Sequence, residues 1–132
     1  METYPIKFTE IIGGRLLGIG TTNSSYIALN SNDSQRNIDS PNLEFDNGLL
    51  TIENPFILKN DTSNINSTDS LMNTELIKLI GKCVVDATYE IDTIVIKFET
   101  GASIIISLRD TDYNSPEAGN FSPIVGPIIV FN

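Results

Sequence analysis

Asp110, Asp112 and Asn114 stand at alternate positions of the run Arg109-Asp110-Thr111-Asp112-Tyr113-Asn114-Ser115-Pro116-Glu117-Ala118. That is the spacing at which a calcium loop presents its first three oxygen ligands. The pattern then breaks. Ser115 occupies the position that needs a glycine for the sharp turn, and Phe121 the position of the bidentate glutamate. The run therefore reads as a turn, with Ser115-Pro116-Glu117 as a helix start: a capping hydroxyl, a proline in the first turn and an acid at the positive end of the helix dipole.

The rest of the inventory excludes most catalytic chemistry. The chain has no histidine and a single cysteine, which removes Ser-His-Asp and Cys-His nucleophiles and leaves too few ligands for zinc. Cys83 lies in Gly81-Lys82-Cys83-Val84-Val85, an apolar run in which a buried, inert thiol is expected. No glycine-rich phosphate loop is present. Carboxylate pairs are what remain, and no spacing singles one out. The expectation is a non-enzyme with no cofactor and no metal.

Two kinds of side chain remain as candidates for contact. Tyr4, Tyr26, Tyr89 and Tyr113 are of the type that anchors interfaces, and equally of the type that half-buries on a sheet. Asp86, Glu90, Asp92, Glu99, Asp110 and Asp112 fall on expected turns. Scattered, they are an ordinary solvated surface, which is the default reading; gathered on one rim, they make a negative patch.

The formal charge of −9 and pI near 4.2 argue against nucleic acid and against anionic membranes, since both demand a basic footprint. They permit a basic protein partner. No apolar run reaches the length of a membrane span. Met1-Glu2-Thr3-Tyr4-Pro5 has neither the basic nor the apolar region of a signal peptide, so a cytoplasmic location is expected, in keeping with the lone cysteine.

The elements that must position these residues follow from a weak internal repeat. Glu10-Ile11-Ile12-Gly13-Gly14-Arg15-Leu16-Leu17-Gly18-Ile19 is echoed by Lys78-Leu79-Ile80-Gly81-Lys82-Cys83-Val84-Val85-Asp86-Ala87. Each copy reaches a hairpin: Leu43-Glu44-Phe45-Asp46-Asn47-Gly48-Leu49 in the first, Ile96-Lys97-Phe98-Glu99-Thr100-Gly101-Ala102 in the second. Alternation places Leu43 and Phe45, or Ile94, Ile96 and Phe98, on one face of a strand, and each glycine suits a turn with positive φ. Ile104-Ile105-Ile106 reads as a central strand buried on both faces. Polar loops are expected over Asn30–Asn42 and Lys59–Ser70. One helix is expected near 70–80, striped by Met72, Leu76, Leu79 and Ile80, capped by Asp69 or Ser70 and ended by Gly81. Pro127 ahead of Ile128-Ile129-Val130-Phe131 marks a strand start or a sheet edge.

The expectation is one mainly β (α+β) domain over residues 1–132. Pseudo-repeat 1 runs from about 4 to 58, a linker and helix from 59 to 80, and pseudo-repeat 2 from about 81 to 132. Seven to nine short strands would form a rolled sheet, a sandwich or a half-open barrel.

Phe45-Asp46-Asn47-Gly48, Ile52-Glu53-Asn54-Pro55, Leu79-Ile80-Gly81-Lys82, Ile96-Lys97-Phe98-Glu99-Thr100-Gly101 and the Leu108–Ala118 run together resemble a group of small uncharacterised bacterial proteins, often encoded beside secreted toxins as candidate immunity proteins. The resemblance spans most of the chain and rests on turns and strand patterns, which mark fold and not activity. Together with the small size, the acidity and the missing catalytic apparatus, it points to an immunity-type protein that covers a basic toxin with an acidic surface; the resemblance itself carries over no site residues, and Asp110, Asp112, Tyr113 and Glu117 are the expected contacts from their place in the sequence. The alternatives left open are a small-ligand module and a subunit that forms homodimers through the C-terminal strand Ile128–Phe131.

Overall fold

The computed structural model describes residues 6–21, 41–113 and 115–132. Tyr4, Tyr26, Asn114 and most of the expected loop at 30–42 lie outside the described residues. The strands are β1 (Ile6–Lys7), β2 (Leu16–Thr21), β3 (Pro41–Phe45), β4 (Gly48–Ile52), β5 (Phe56–Lys59), β6 (Asn64–Asn66), β7 (Val84–Tyr89), β8 (Thr93–Phe98), β9 (Ser103–Ser107), β10 (Gly119–Pro123) and β11 (Ile129–Phe131), with one helix, α1 (Met72–Ile77). They form two antiparallel sheets, a six-stranded one in the order β1-β7-β8-β9-β5-β6 and a five-stranded one in the order β11-β10-β4-β3-β2. The fold is mainly β and sandwich-like, and the sheets do not close into a barrel.

Period-2 alternation creates the core. Leu43, Phe45, Leu50, Ile52 and Phe121 of the smaller sheet meet Phe56, Leu58, Ala87, Ile94, Ile96, Phe98, Ile104 and Ile106 of the larger, all buried and in one cluster. One end is sealed by aromatic rings from both sheets. Phe8 packs edge-on against Phe121 and Phe131, with centroids 5.7 and 5.3 Å apart, and Tyr89 meets Phe131 at 5.9 Å.

The internal repeat is visible as reciprocal backbone bonding. Gly13 N–H donates to the Val84 carbonyl (2.8 Å) and Gly81 N–H to the Leu16 carbonyl (2.7 Å); Leu16 N–H donates to Lys82 (3.0 Å) and Val84 N–H to Gly14 (2.9 Å). Gly13 and Gly81 share positive φ values of 90° and 92°, which the turn into each first strand requires. Arg15 and Cys83 face one another in an isolated bridge. Their N–H groups are held alike, Arg15 by Asp46 Oδ1 and Cys83 by Glu99 Oε2, each at 3.0 Å. Both first strands are irregular at the same place, after Leu16 and after Val84. The hairpin phenylalanines Phe45 and Phe98 stack in the core, 6.2 Å apart.

Each half builds a three-stranded meander and then sends a hairpin to the other half's sheet. β2-β3-β4 is extended by β10 and β11, and β7-β8-β9 by β5 and β6. The crossings are stitched by hydrogen bonds. Glu53 and Asn54 N–H both donate to the Ala118 carbonyl (2.8 and 3.0 Å), and Asn54 Nδ2 donates to the Ser107 carbonyl (2.8 Å).

Several expectations are corrected. The segment 59–70 is not wholly loop: β6 pairs with β5, with Ile65 opposite Leu58. The helix is shorter than expected and ends at Ile77; Met72, Leu76 and Leu79 are buried, but Ile80 is exposed. Asp69 Oδ1 accepts the Leu71 N–H at its start (2.8 Å). Ser115-Pro116-Glu117 starts no helix. Ser115 Oγ donates to the Glu117 carbonyl and the Ala118 groups are committed to the crossing and to Phe131, so the chain runs on into β10. β9 is central, yet of its three isoleucines only Ile104 and Ile106 are buried; Ile105 is half-buried on the outer face. Gly101 has the expected positive φ (95°), whereas Gly48 is needed for space: a Cβ there would lie 2.5 Å from the Phe121 ring and 2.6 Å from the Ser122 carbonyl oxygen.

Candidate functional site

The outer face of the six-stranded sheet carries an open groove of about 390 Å³. Register fixes its floor. Ile57 of β5 lies opposite Ile105 of β9, and Thr93 of β8 opposite Ser107 of β9. Pairing buries Phe56 and Ile106 on the inner face and turns Ile57 and Ile105 outward. One wall is Asn66 at the end of β6 with Ser67 and Thr68 after it; the other is Asp92, Arg109 and Asp112.

The second wall is built by two segments that the fold ties together. The turn between β7 and β8 carries Glu90 and Asp92, and the Asp92 carbonyl accepts the Leu108 N–H at 2.7 Å. A single 3-10 turn, Asp110–Asp112, then folds over the end of β9. Two acids, Asp92 and Asp112, thus line the groove, and Glu90 and Asp110 stand on the same two segments outside its lining. Asp92 and Asp110 are exposed, Glu90 and Asp112 half-buried. Asp86 and Glu99 lie elsewhere: Asp86 pairs with Lys7 on β1, and Glu99, at the far end of β8, holds the Cys83 N–H. Two of the six acids thus line the groove, and the other four do not.

Asp112 accepts from Ser107 Oγ and, at 3.3 Å, from Arg109 Nε. The Ser107 hydrogen bond, with the Arg109 charge behind it, holds its carboxyl below the usual aspartate range. The groove is thus offered a fixed negative charge, not a proton, near neutral pH. Tyr113 is half-buried against the core; burial, and then the neighbouring Asp110, push its hydroxyl above the usual tyrosine value. Glu117 is half-buried and accepts from Asn120 Nδ2 at 2.7 Å. Of the four expected contacts, Asp112 lines the groove and Asp110 lies two residues before it, outside the lining, while Tyr113 and Glu117 are engaged within the fold.

Asp92 joins the site through the Asp92–Leu108 hydrogen bond, which no local pattern announces. The apolar floor is equally hidden, because Ile57 and Ile105 meet only through the exchanged strand β5. The matching place on the smaller sheet pairs Asn120 with Thr51, so the two halves share a backbone plan and differ in surface chemistry.

Among the described residues, no group of three or more His, Cys, Asp or Glu side chains could hold a metal ion. Among the same residues, no helix is long and apolar enough to cross a membrane. In comparisons with known proteins, no family model, curated protein or solved structure matches the chain.

Proposed function

We propose that this protein is a cytoplasmic, non-catalytic binding protein of the immunity type, which neutralises a basic bacterial toxin by covering its active face with an acidic surface. The observation that carries the reading is the placing of Asp92 and Asp112 on one wall of the groove, with Glu90 and Asp110 on the same two turns, where the nearby cation Arg109 is already bonded to Asp112. A toxin that acts on nucleic acid presents a basic face, and a negative surface competes with the polyanion for it and accelerates encounter. The Ile57–Ile105 floor supplies an apolar seat for the stem of a lysine or arginine.

The test is affinity capture with the tagged chain in its native host at low and moderate salt, followed by kinetics with the captured protein. A basic partner is expected, held less tightly as salt rises. Asp92→Lys with Asp110→Lys should slow its association on the order of tenfold. An association rate unchanged in that variant removes these acids from the interface and overturns the reading.

A second reading takes the groove as a small-molecule site, since its volume falls within the usual range for such pockets. A ligand seated on the apolar floor would resist both salt and the charge reversals, and would be lost on Ile105→Asp.

A further inference from the structure

The β10–β11 hairpin and the β5–β6 hairpin occupy equivalent places in the two halves, and their tips have opposite chemistry. β5–β6 turns through Asn60-Asp61-Thr62-Ser63, with Asn60 Oδ1 accepting the Thr62 and Ser63 N–H groups at 3.1 and 3.0 Å. β10–β11 turns through Ile124-Val125-Gly126-Pro127-Ile128. Val125 is 86% and Ile124 71% exposed, with Ile128 and Val130 exposed beside them. In a chain of net charge −9, no charged residue occurs from Ala118 to Asn132.

β11 is also a sheet edge. Among the described residues nothing pairs with its side facing away from β10. Such edges are normally blunted by charge, as Lys7 does on β1, because an open edge recruits another strand. β11 carries only Ile129, Val130 and Phe131. The hairpin tip and the outer face of β11 present on the order of 500 Å² of apolar surface, a size that on a monomer usually marks an interaction site. Two such faces together would cover about 1,000 Å², the lower bound for a specific interface.

We propose that this hairpin joins two copies of the chain, with β11 of one pairing antiparallel to β11 of the other about a two-fold axis. The surface is self-complementary: apolar tip meets apolar strand, open edge meets open edge, and neither the tip nor β11 carries a charged residue. Acids flank the surface: Glu117 accepts from Asn120 Nδ2 at 2.7 Å, and Asn120 lies opposite Val130. Glu44 is exposed on β3, and Asp46 is on the turn whose Asn47 carbonyl accepts the Ile124 N–H at 3.0 Å. Like charge therefore opposes the approach of two copies, and salt relieves it.

The experiment is sedimentation velocity on the intact chain from a few to about 200 μM, at low and high salt. A dimer is expected whose dissociation constant falls as salt is added. Val130→Lys and Val125→Asp should each raise that constant about tenfold or more. Both side chains are exposed, and an unchanged urea midpoint would show the variants folded. A monomer throughout the range at both salt concentrations overturns the proposal, as does a dimer that neither variant weakens. A monomer that instead floats with phosphatidylcholine vesicles would assign the hairpin to a bilayer and overturn it as well. Capture of a basic partner weakens with salt and answers to Asp92 and Asp110, so the two proposals fail separately.

Discussion

The ring of Tyr89 lies against Phe8 and Phe131, its centroid 6.1 and 5.9 Å from theirs. Burial, and then the charge of Glu10, raise its hydroxyl above the ordinary value of 10.0. A raised value means that the folded chain keeps the proton after the unfolded chain has begun to release it. The stabilisation is therefore complete below the unfolded value and is lost as pH climbs through the folded one. The urea midpoint should fall between about pH 9 and 11, and Tyr89→Phe should flatten part of that fall. Tyr113 shifts in the same direction and accounts for part of the slope that remains. A Tyr89→Phe midpoint that tracks the wild type across this interval would place the alkaline sensitivity elsewhere.

At the scale of the element, the seating of β10 on β4 is controlled by glycine. A Cβ on Gly119 would lie 2.4 Å from the Thr51 carbonyl oxygen and 3.3 Å from Ile52 Cα, so backbone and not a pliable side chain would have to yield. Gly119→Ala should destabilise the fold by about 3 kcal/mol, read from the urea midpoint, while Gly18→Ala, where a Cβ meets nothing within 4 Å, should cost far less. Much of this architecture is legible in sequence because two-residue alternation reports faces. Leu43 and Phe45, and Ile94, Ile96 and Phe98, are buried where alternation places them. β6 escapes because a strand with one buried side chain, Ile65 between Asn64 and Asn66, has no alternation to detect. Alternation also cannot name a strand's neighbour, so the exchange of β5 and β10 between sheets is invisible to it. The groove inherits that limit. Asp110 and Asp112 stand out from their local spacing, but Ile57, Asp92 and Ile105 come together only through long-range pairing.

For the whole molecule, that exchange makes each half depend on the other. Residues 6–69 hold the β2-β3-β4 meander, but the strand that should flank β4 is β10; residues 70–132 hold β7-β8-β9, but the strand that flanks β9 is β5. Separated fragments cut between Asp69 and Ser70 should each lack a cooperative thermal transition. An equimolar mixture should regain the far-UV circular dichroism and the transition of the intact chain. A fragment that melts cooperatively alone would show that one meander is sufficient. Salt should separate the two proposed surfaces at this scale: screening would weaken the hold of acidic side chains on a basic partner and would ease the meeting of two chains that both carry −9.

The crossing of β10 into the first sheet also sets a clock during synthesis. When β4 leaves the ribosome, its open edge waits for a strand that lies roughly 70 residues further on, which is several seconds of translation. The inner side chains Leu50 and Ile52 are exposed to the crowded cytosol for that interval, beside an edge that any passing strand can take. The nascent chain therefore passes through its most adhesive state midway, and slowing translation between codons 53 and 118 should raise the share that aggregates more than the same delay placed before codon 41.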